Sequence, residues 1–201
     1  MAETTSVAID VALLVPDTLG RVLTGLNRTL QPPPEGFRFD ATHLPHLTLA
    51  QLFVRVGDLA ETTRVAGAVL QDQAPLAVAT TQVSCQRVST TLGVTGTDEL
   101  VALHRRLMNC LESFNGNDGG TEAFWTDGDI PRAADVNWVA TFREQAAFHR
   151  FDPHITVGVG QLEEEVERTP FVATEVALCH LGRFCTCRRV LTAWTLTAQR
   201  R

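Results

Sequence analysis

Lysine and tyrosine are absent from this 201-residue sequence, and all seventeen basic residues are arginine. No lysine base or Schiff-base nucleophile and no tyrosine acid is available for chemistry. Apolar runs long enough to span a membrane are missing too, and the opening stretch MAETTSVAID has no basic segment leading into an apolar one. A cytoplasmic setting without a membrane partner is therefore the expectation. Cysteine is sparse: Cys85, Cys110, Cys179, Cys185 and Cys187 make an odd set of five without a secretion signal, which argues against a disulfide framework. Positive charge is also short. A formal net charge of −6 excludes a long nucleic-acid duplex as the natural ligand, whereas a mononucleotide, a cyclic phosphate or one RNA end needs only a few local arginines.

What the sequence does contain is a repeat. Pro45-His46-Leu47-Thr48-Leu49 returns as Pro153-His154-Ile155-Thr156-Val157. Each copy reads as a strand (46–49 and 154–157). Side chains alternate along a strand, so His46 and Thr48 share one face, and Leu47 and Leu49 the other; His154 and Thr156 stand likewise against Ile155 and Val157. Each strand thus buries an aliphatic face and offers a His-Thr pair. Two imidazoles flanking one phosphorus atom form an acid-base pair, because histidine titrates near working pH. The threonine hydroxyls can hold non-bridging phosphate oxygens. Such a site requires no cofactor.

The remaining elements alternate. A strand at 7–16 leads into a helix capped by Asp17, with Leu19, Val22, Leu23, Leu26 and Leu30 at helical spacing. Asp58 opens a helix to about Gln71, striped by Leu59, Val65, Ala66 and Val69. Residues 76–97 read as two strands turning near 89–92. A helix follows over 98–114, then a polar glycine-rich connection over 115–131, a helix from Ala133, the second motif strand, and a closing antiparallel strand pair. This order predicts an α+β fold: one domain over 1–201, with two pseudo-symmetric antiparallel sheet-and-helix lobes flanking a central cleft.

The paired motifs HLTL and HITV resemble those of the 2H phosphoesterase superfamily. The segments VAIDVALLVPD, FDATHLPHLTLAQLFVR, AFWTDGDIP and RFDPHITVG are similar to its bacterial 2′-5′ RNA ligase-like branch over roughly residues 7–197. The resemblance implies a bilobal fold, catalysis by His46 and His154, and phosphate contacts from Thr48 and Thr156. It implies action on a nucleotide or RNA terminus: opening of a 2′,3′-cyclic phosphate, or 2′-5′ ligation or 2′-5′ cleavage at the same site. A nucleotide-sensing module without turnover is the alternative from another class. Val159 stands where many ligase-like relatives carry an arginine, so a phosphate-clamping arginine is missing or comes from elsewhere.

Arg55 and Arg150 flank the motifs and are candidates for substrate contact, with solvated arginines as the alternative. Trp125 and Phe124 lie in the long connection, where an exposed ring stacks on a base or a buried one anchors the loop. Gln51 falls on the Leu47/Leu49 face by simple alternation. Trp138 and Trp194 are expected in the core, His104 and His149 on the surface, and His180 has no assigned role. His43 and His46 have H-x₂-H spacing, and Cys179, His180, Cys185 and Cys187 cluster. No paired C-x₂-C accompanies them, and no metal site is expected.

Overall fold

The computed structural model describes residues 5–86, 88–116, 119–162 and 166–197. These residues form one antiparallel sheet of eight strands: β1 (Ser6–Leu14), β2 (His46–Arg55), β3 (Leu76–Gln86), β4 (Ser89–Val94), β5 (His154–Val159), β6 (Pro170–Ala173), β7 (Glu175–Leu181) and β8 (Cys187–Thr195). Their order across the sheet is β6-β3-β4-β5-β2-β1-β7-β8. The two motif strands are central neighbours, joined where Leu47 pairs with Ile155. The fold is α+β as expected, and the sheets of the two expected lobes are joined in one continuous sheet.

The helices are α1 (Asp17–Thr29), α2 (Leu59–Leu70), α3 (Asp98–Cys110) and α4 (Ala133–Gln145). The main core lies on the aliphatic face of the sheet. There Leu47, Leu49, Ile155 and Val157 pack with Leu19 and Leu23 of α1, Ala66 and Leu70 of α2, and Leu100, Leu103 and Leu107 of α3. Helix α4 covers part of the opposite face, where Val139 meets Ala8 and Phe53. The sheet is thus sealed by three helices on one side and walled by one on the other.

The sequence pattern and the structure differ in instructive places. Asp17 does not cap α1; it is the first helical residue, behind Pro16, and favours the helix through its charge at the positive end. Helix α3 does carry a side-chain cap, in which Thr97 Oγ1 accepts the Leu100 N–H at 3.3 Å. In α2 the buried stripe is Thr62, Ala66 and Leu70 rather than Val65 and Val69. Residues 89–92 lie inside β4, not in a turn, since Thr90 and Leu92 alternate inward like any strand. The short edge strand β6 opens on Pro170, whose missing N–H suits an edge, and it buries Phe171 and Ala173 while Pro170 and Val172 stay exposed.

Each half of the sheet bends at the same point. On β2 the residues Leu49 and Ala50 stand against Val11 alone, since Thr48 pairs with Ala12 and Ala50 with Val11. On β5 Val157 and Gly158 stand against Thr90, since Thr156 pairs with Thr91 and Gly158 with Thr90. Both motif strands therefore carry a one-residue bulge directly after the threonine. The repeat in sequence is a repeat in backbone geometry.

Candidate active site

The Leu47–Ile155 register sets the site. Antiparallel neighbours at this point bring the flanking residues of both strands onto one face, so His46, Thr48, His154 and Thr156 all line a single cavity of about 570 Å³. Both rings are held in the same way. His46 Nδ1–H donates to the Leu44 carbonyl at 2.7 Å, and His154 Nδ1–H donates to the Asp152 carbonyl at 2.7 Å. An Nδ1 occupied by a backbone carbonyl leaves Nε2 in each copy as the ring nitrogen without a backbone partner. The His46 side chain is less open than its strand position suggests, at 12% exposed.

The reason is Asp10, in the middle of the apolar run of β1. Its side chain is fully buried. One carboxylate oxygen, Oδ2, lies 3.6 Å from His46 Nε2 and accepts from Thr48 Oγ1 at 2.7 Å and Gln51 Nε2 at 2.7 Å. The other oxygen, Oδ1, has no partner among the described residues. Burial pushes the Asp10 carboxyl above its ordinary value, opposed by the charge of His46 and the hydrogen bonds from Gln51 and Thr48. Gln51 reaches Asp10 because the bulge after Thr48 reverses the alternation; simple counting places it on the opposite face.

The cavity continues past the motifs. Ser89 and Thr91 of β4 line it on the β5 side, and Arg132, Trp138 and Phe142 come from α4 and its approach. Arg132 is held by Asp135, whose carboxylate accepts from the Arg132 backbone N–H at 2.9 Å and from its guanidinium, and it lies over the Phe184 ring at 4.0 Å. Trp138 is 36% exposed and meets Phe142 edge-on at 6.1 Å, so it is a cavity wall rather than a core residue. Arg150 lines the rim, with its guanidinium donating to the Glu144 carbonyl.

Other candidates fall elsewhere. Arg55 is exposed at the far end of β2 and outside the cavity lining. Trp125 stands against β7 and β8, edge-on to His180 at 5.9 Å and under the Arg189 guanidinium at 5.0 Å, while Phe124 is buried on Phe53. The connection is thus anchored by its aromatics, and His180 adds a bond from Nε2–H to the Ala123 carbonyl at 2.9 Å. Trp194 packs on the main core, as expected. His149 is exposed, but His104 is wholly buried instead of on the surface.

The His-Cys spacings do not converge. His43 pairs with Asp40 at 3.3 Å and stacks on Phe37; Cys179 and Cys187 join a small apolar cluster with Ala12 and Ala177. Among the described residues a different trio comes together, Asp10, His46 and Cys187, with one donor atom each within 4.8 Å of one another. Burial pushes the Cys187 thiol well above its usual range, which opposes the thiolate a metal would need. Of the site residues that the motifs did not reveal, Asp10 had the plainest signal: a carboxylate amid VAI and VALL. Ser89, Arg132 and Trp138 had none, because only the tertiary fold brings β4 and α4 to the motif strands.

An all-antiparallel sheet with two matched motif strands at its centre defines a class of its own. The family model of the 2′-5′ RNA ligase superfamily matches residues 23–185, and the chain belongs to that superfamily, the 2H phosphoesterases. Among solved structures it is similar to a phosphoesterase at 20% identity and a TM-score of 0.59, covering 94% of this chain and 98% of that one. It is similar to E. coli LigT complexed with 3′-AMP at 20% identity and a TM-score of 0.59, covering 96% and 99%. TT0787 of Thermus thermophilus follows at 13% identity and a TM-score of 0.58, covering 96% and 100%. No curated protein matches. At these identities the structural likeness speaks for the fold. No helix among the described residues is long and apolar enough to cross a membrane.

Proposed function

We propose that this protein opens 2′,3′-cyclic phosphates at a nucleotide or RNA end, with His46 and His154 as the acid-base pair and no metal needed. The observation that carries the reading is the matched anchoring of the two rings. Each imidazole is held at Nδ1 by a carbonyl two residues back, which leaves each Nε2 for the one cavity, with Asp10 Oδ2 3.6 Å from that of His46. One ring takes the proton of an attacking water; the other gives a proton to the departing ribose oxygen as the P–O bond breaks. Thr48 and Thr156 offer hydroxyls to the non-bridging oxygens, and Arg150 supplies positive charge at the rim. The aromatic wall at Trp138 suits a base. The E. coli LigT structures with 3′-AMP and with NADP+ support a nucleotide as the class of ligand.

The same pair run in reverse joins two ends through a 2′-5′ linkage, because acid and base exchange roles; the superfamily's description favours keeping that reading. Val159 leaves the cavity without an arginine at that position, which weighs toward hydrolysis. The test is turnover of a panel of cyclic, 2′-5′-linked and linear nucleotides in the presence of EDTA. Hydrolysis of a 2′,3′-cyclic nucleotide, lost in His46→Ala and in His154→Ala, is the expected result. Binding without turnover across the panel would sink the catalytic reading, and activity lost on chelation and restored by zinc or manganese would sink the metal-free one.

A further inference from the structure

The two halves of the site match in backbone but not in charge. The pairings make Asp10 and Gln51 of the first half the counterparts of Ser89 and Val159 of the second: Asp10 pairs with Gln51 in the step directly after the bulge, as Ser89 pairs with Val159. The His46 side therefore holds a buried carboxylate where the His154 side holds a hydroxyl. We propose, resting on the two-histidine reading, that Asp10 keeps a proton on His46, so that His46 is the general acid and His154 the general base.

Three observations carry this assignment. First, Asp10 Oδ2 lies 3.6 Å from His46 Nε2, on the reactive nitrogen rather than the anchored one. In a fully buried setting a carboxylate at that distance favours the imidazolium. Second, no other described acidic group or thiol nearby competes for that role. Cys185 and Cys187 are held protonated by burial, and the Asp135 carboxylate is already neutralised by Arg132. On the other side the Asp152 carboxylate is exposed and screened by water. Third, Asp10 Oδ1 has no partner among the described residues, while Thr48 and Gln51 both donate to Oδ2. Burial raises the Asp10 carboxyl, and the two donors on Oδ2 together with the His46 charge oppose that rise.

The step balances. His154 Nε2 accepts a proton from water as the water oxygen bonds phosphorus. His46 Nε2–H passes its proton to the ribose oxygen as the P–O bond breaks. His46 is then left neutral and His154 protonated, and exchange with solvent resets the pair. Asp10 touches neither substrate nor phosphorus; it is a positioning residue for the proton.

Leaving-group chemistry tests the assignment. A ribose oxygen needs protonation to depart, whereas 4-nitrophenolate does not, so an activated 4-nitrophenyl phosphodiester bypasses the acid but still needs the base. His46→Ala should lose roughly 10²–10⁴-fold on the cyclic nucleotide and far less on the nitrophenyl ester, while His154→Ala should lose similarly on both. Asp10→Asn should follow His46→Ala, with a larger loss on the cyclic substrate, and its kcat/KM profile should fall off at lower pH on the alkaline side. Because both substrates are read on one sample, any misfolded fraction cancels in the ratio. Equal losses of Asp10→Asn on both substrates would make its role merely structural and overturn the proposal. Rescue of His154→Ala instead of His46→Ala by the activated ester would reverse the roles. Turnover of neither substrate by the unmodified protein would overturn the functional reading itself, and the assignment with it.

Discussion

Asn27 of α1 and His104 of α3 make the same hydrogen bond in the two halves of the sheet. Asn27 Nδ2 donates to the Val157 carbonyl at 2.8 Å, and His104 Nδ1–H donates to the Leu49 carbonyl at 2.7 Å. Leu49 and Val157 are the bulge residues, fourth in each motif. A bulge leaves a strand carbonyl without its ladder partner, and here each falls inside the main core. A fully buried polar side chain from the helix above meets the need in both cases. The bulges turn the strands directly after the threonines, and in the first half this turn swings Gln51 onto Asp10. Two residues on the far side of the sheet thereby hold the shape of the site.

His104 also fixes its own state. Its Nε2 accepts the Phe148 N–H at 2.9 Å, so with Nδ1–H donating to Leu49 the ring must be neutral. Burial pushes its pKa down from the ordinary value. The folded protein thus disfavours the charged ring, while the unfolded chain titrates near ~6.5. The contribution of His104 is full above that pH and is lost as pH falls through it toward the depressed folded value. His104→Phe should cost about 1–3 kcal/mol at pH 7.5 by leaving the Leu49 carbonyl and Phe148 N–H unmet. In urea denaturation the gap between variant and wild type should narrow at pH 5. A gap that stays constant from pH 7.5 to 5 would mean the ring is not the neutral, doubly bonded group described.

Leu47 and Ile155 face each other across the centre of the sheet, and both are essentially unexposed. Leu47→Ala or Ile155→Ala should each cost ~2–5 kcal/mol, as truncations in a sealed core do. His154→Ala, on the solvent-side face of the same strand, should move the melting temperature by only a few degrees. Measured on one set of purified variants, a His154→Ala loss as large as that of Ile155→Ala would show that the ring carries the fold and not only the site.

The motif strands are readable because a period of two and a repeated polar pair are local properties of the chain. The aliphatic faces of β2 and β5, the His-Thr face opposite each, and the closing pair β7–β8 all follow from such local patterns. Gln51 is not readable, because a bulge reverses alternation and leaves no trace in composition. His104 reads as exposed for a related reason: a polar residue on a helix looks solvated unless the carbonyl it serves is known. Trp138 reads as a core residue because an apolar ring on a helix usually packs; here α4 turns that ring toward the cavity. The joining of the two lobes in a single sheet rests on one register point between strands far apart in sequence.

Trp138 supplies a direct test of base recognition. With 36% of its surface exposed and its edge braced by Phe142, it presents a preformed flat wall to the cavity. Stacking of a base on an aromatic ring is worth ~1–3 kcal/mol, so Trp138→Ala should raise KM for a cyclic nucleotide by roughly five- to hundredfold. The imidazoles are untouched, so kcat should change little. Trp138→Phe should recover part of the loss. A variant that loses kcat with KM unchanged would place the base elsewhere and assign Trp138 to wall packing alone.

The strictest test of the shared site is the double variant. If His46 and His154 act on one phosphorus, the proton given and the proton taken belong to one event. Losing the acid leaves the base working against a leaving group that cannot depart; losing the base leaves the acid with no nucleophile to follow. Either loss alone forces the reaction onto the residual path supplied by binding and the threonine hydroxyls. Removing the second ring then takes away little that still functioned, which is how tightly coupled catalytic groups behave. His46→Ala and His154→Ala should each lower kcat/KM on the cyclic nucleotide by roughly 10²–10⁴-fold. The double variant should lie within about tenfold of the weaker single one, far short of the product of the two losses. Losses that multiply fully would mean that the two rings serve separate events, and a mechanism with both imidazoles on one phosphorus would have to be abandoned.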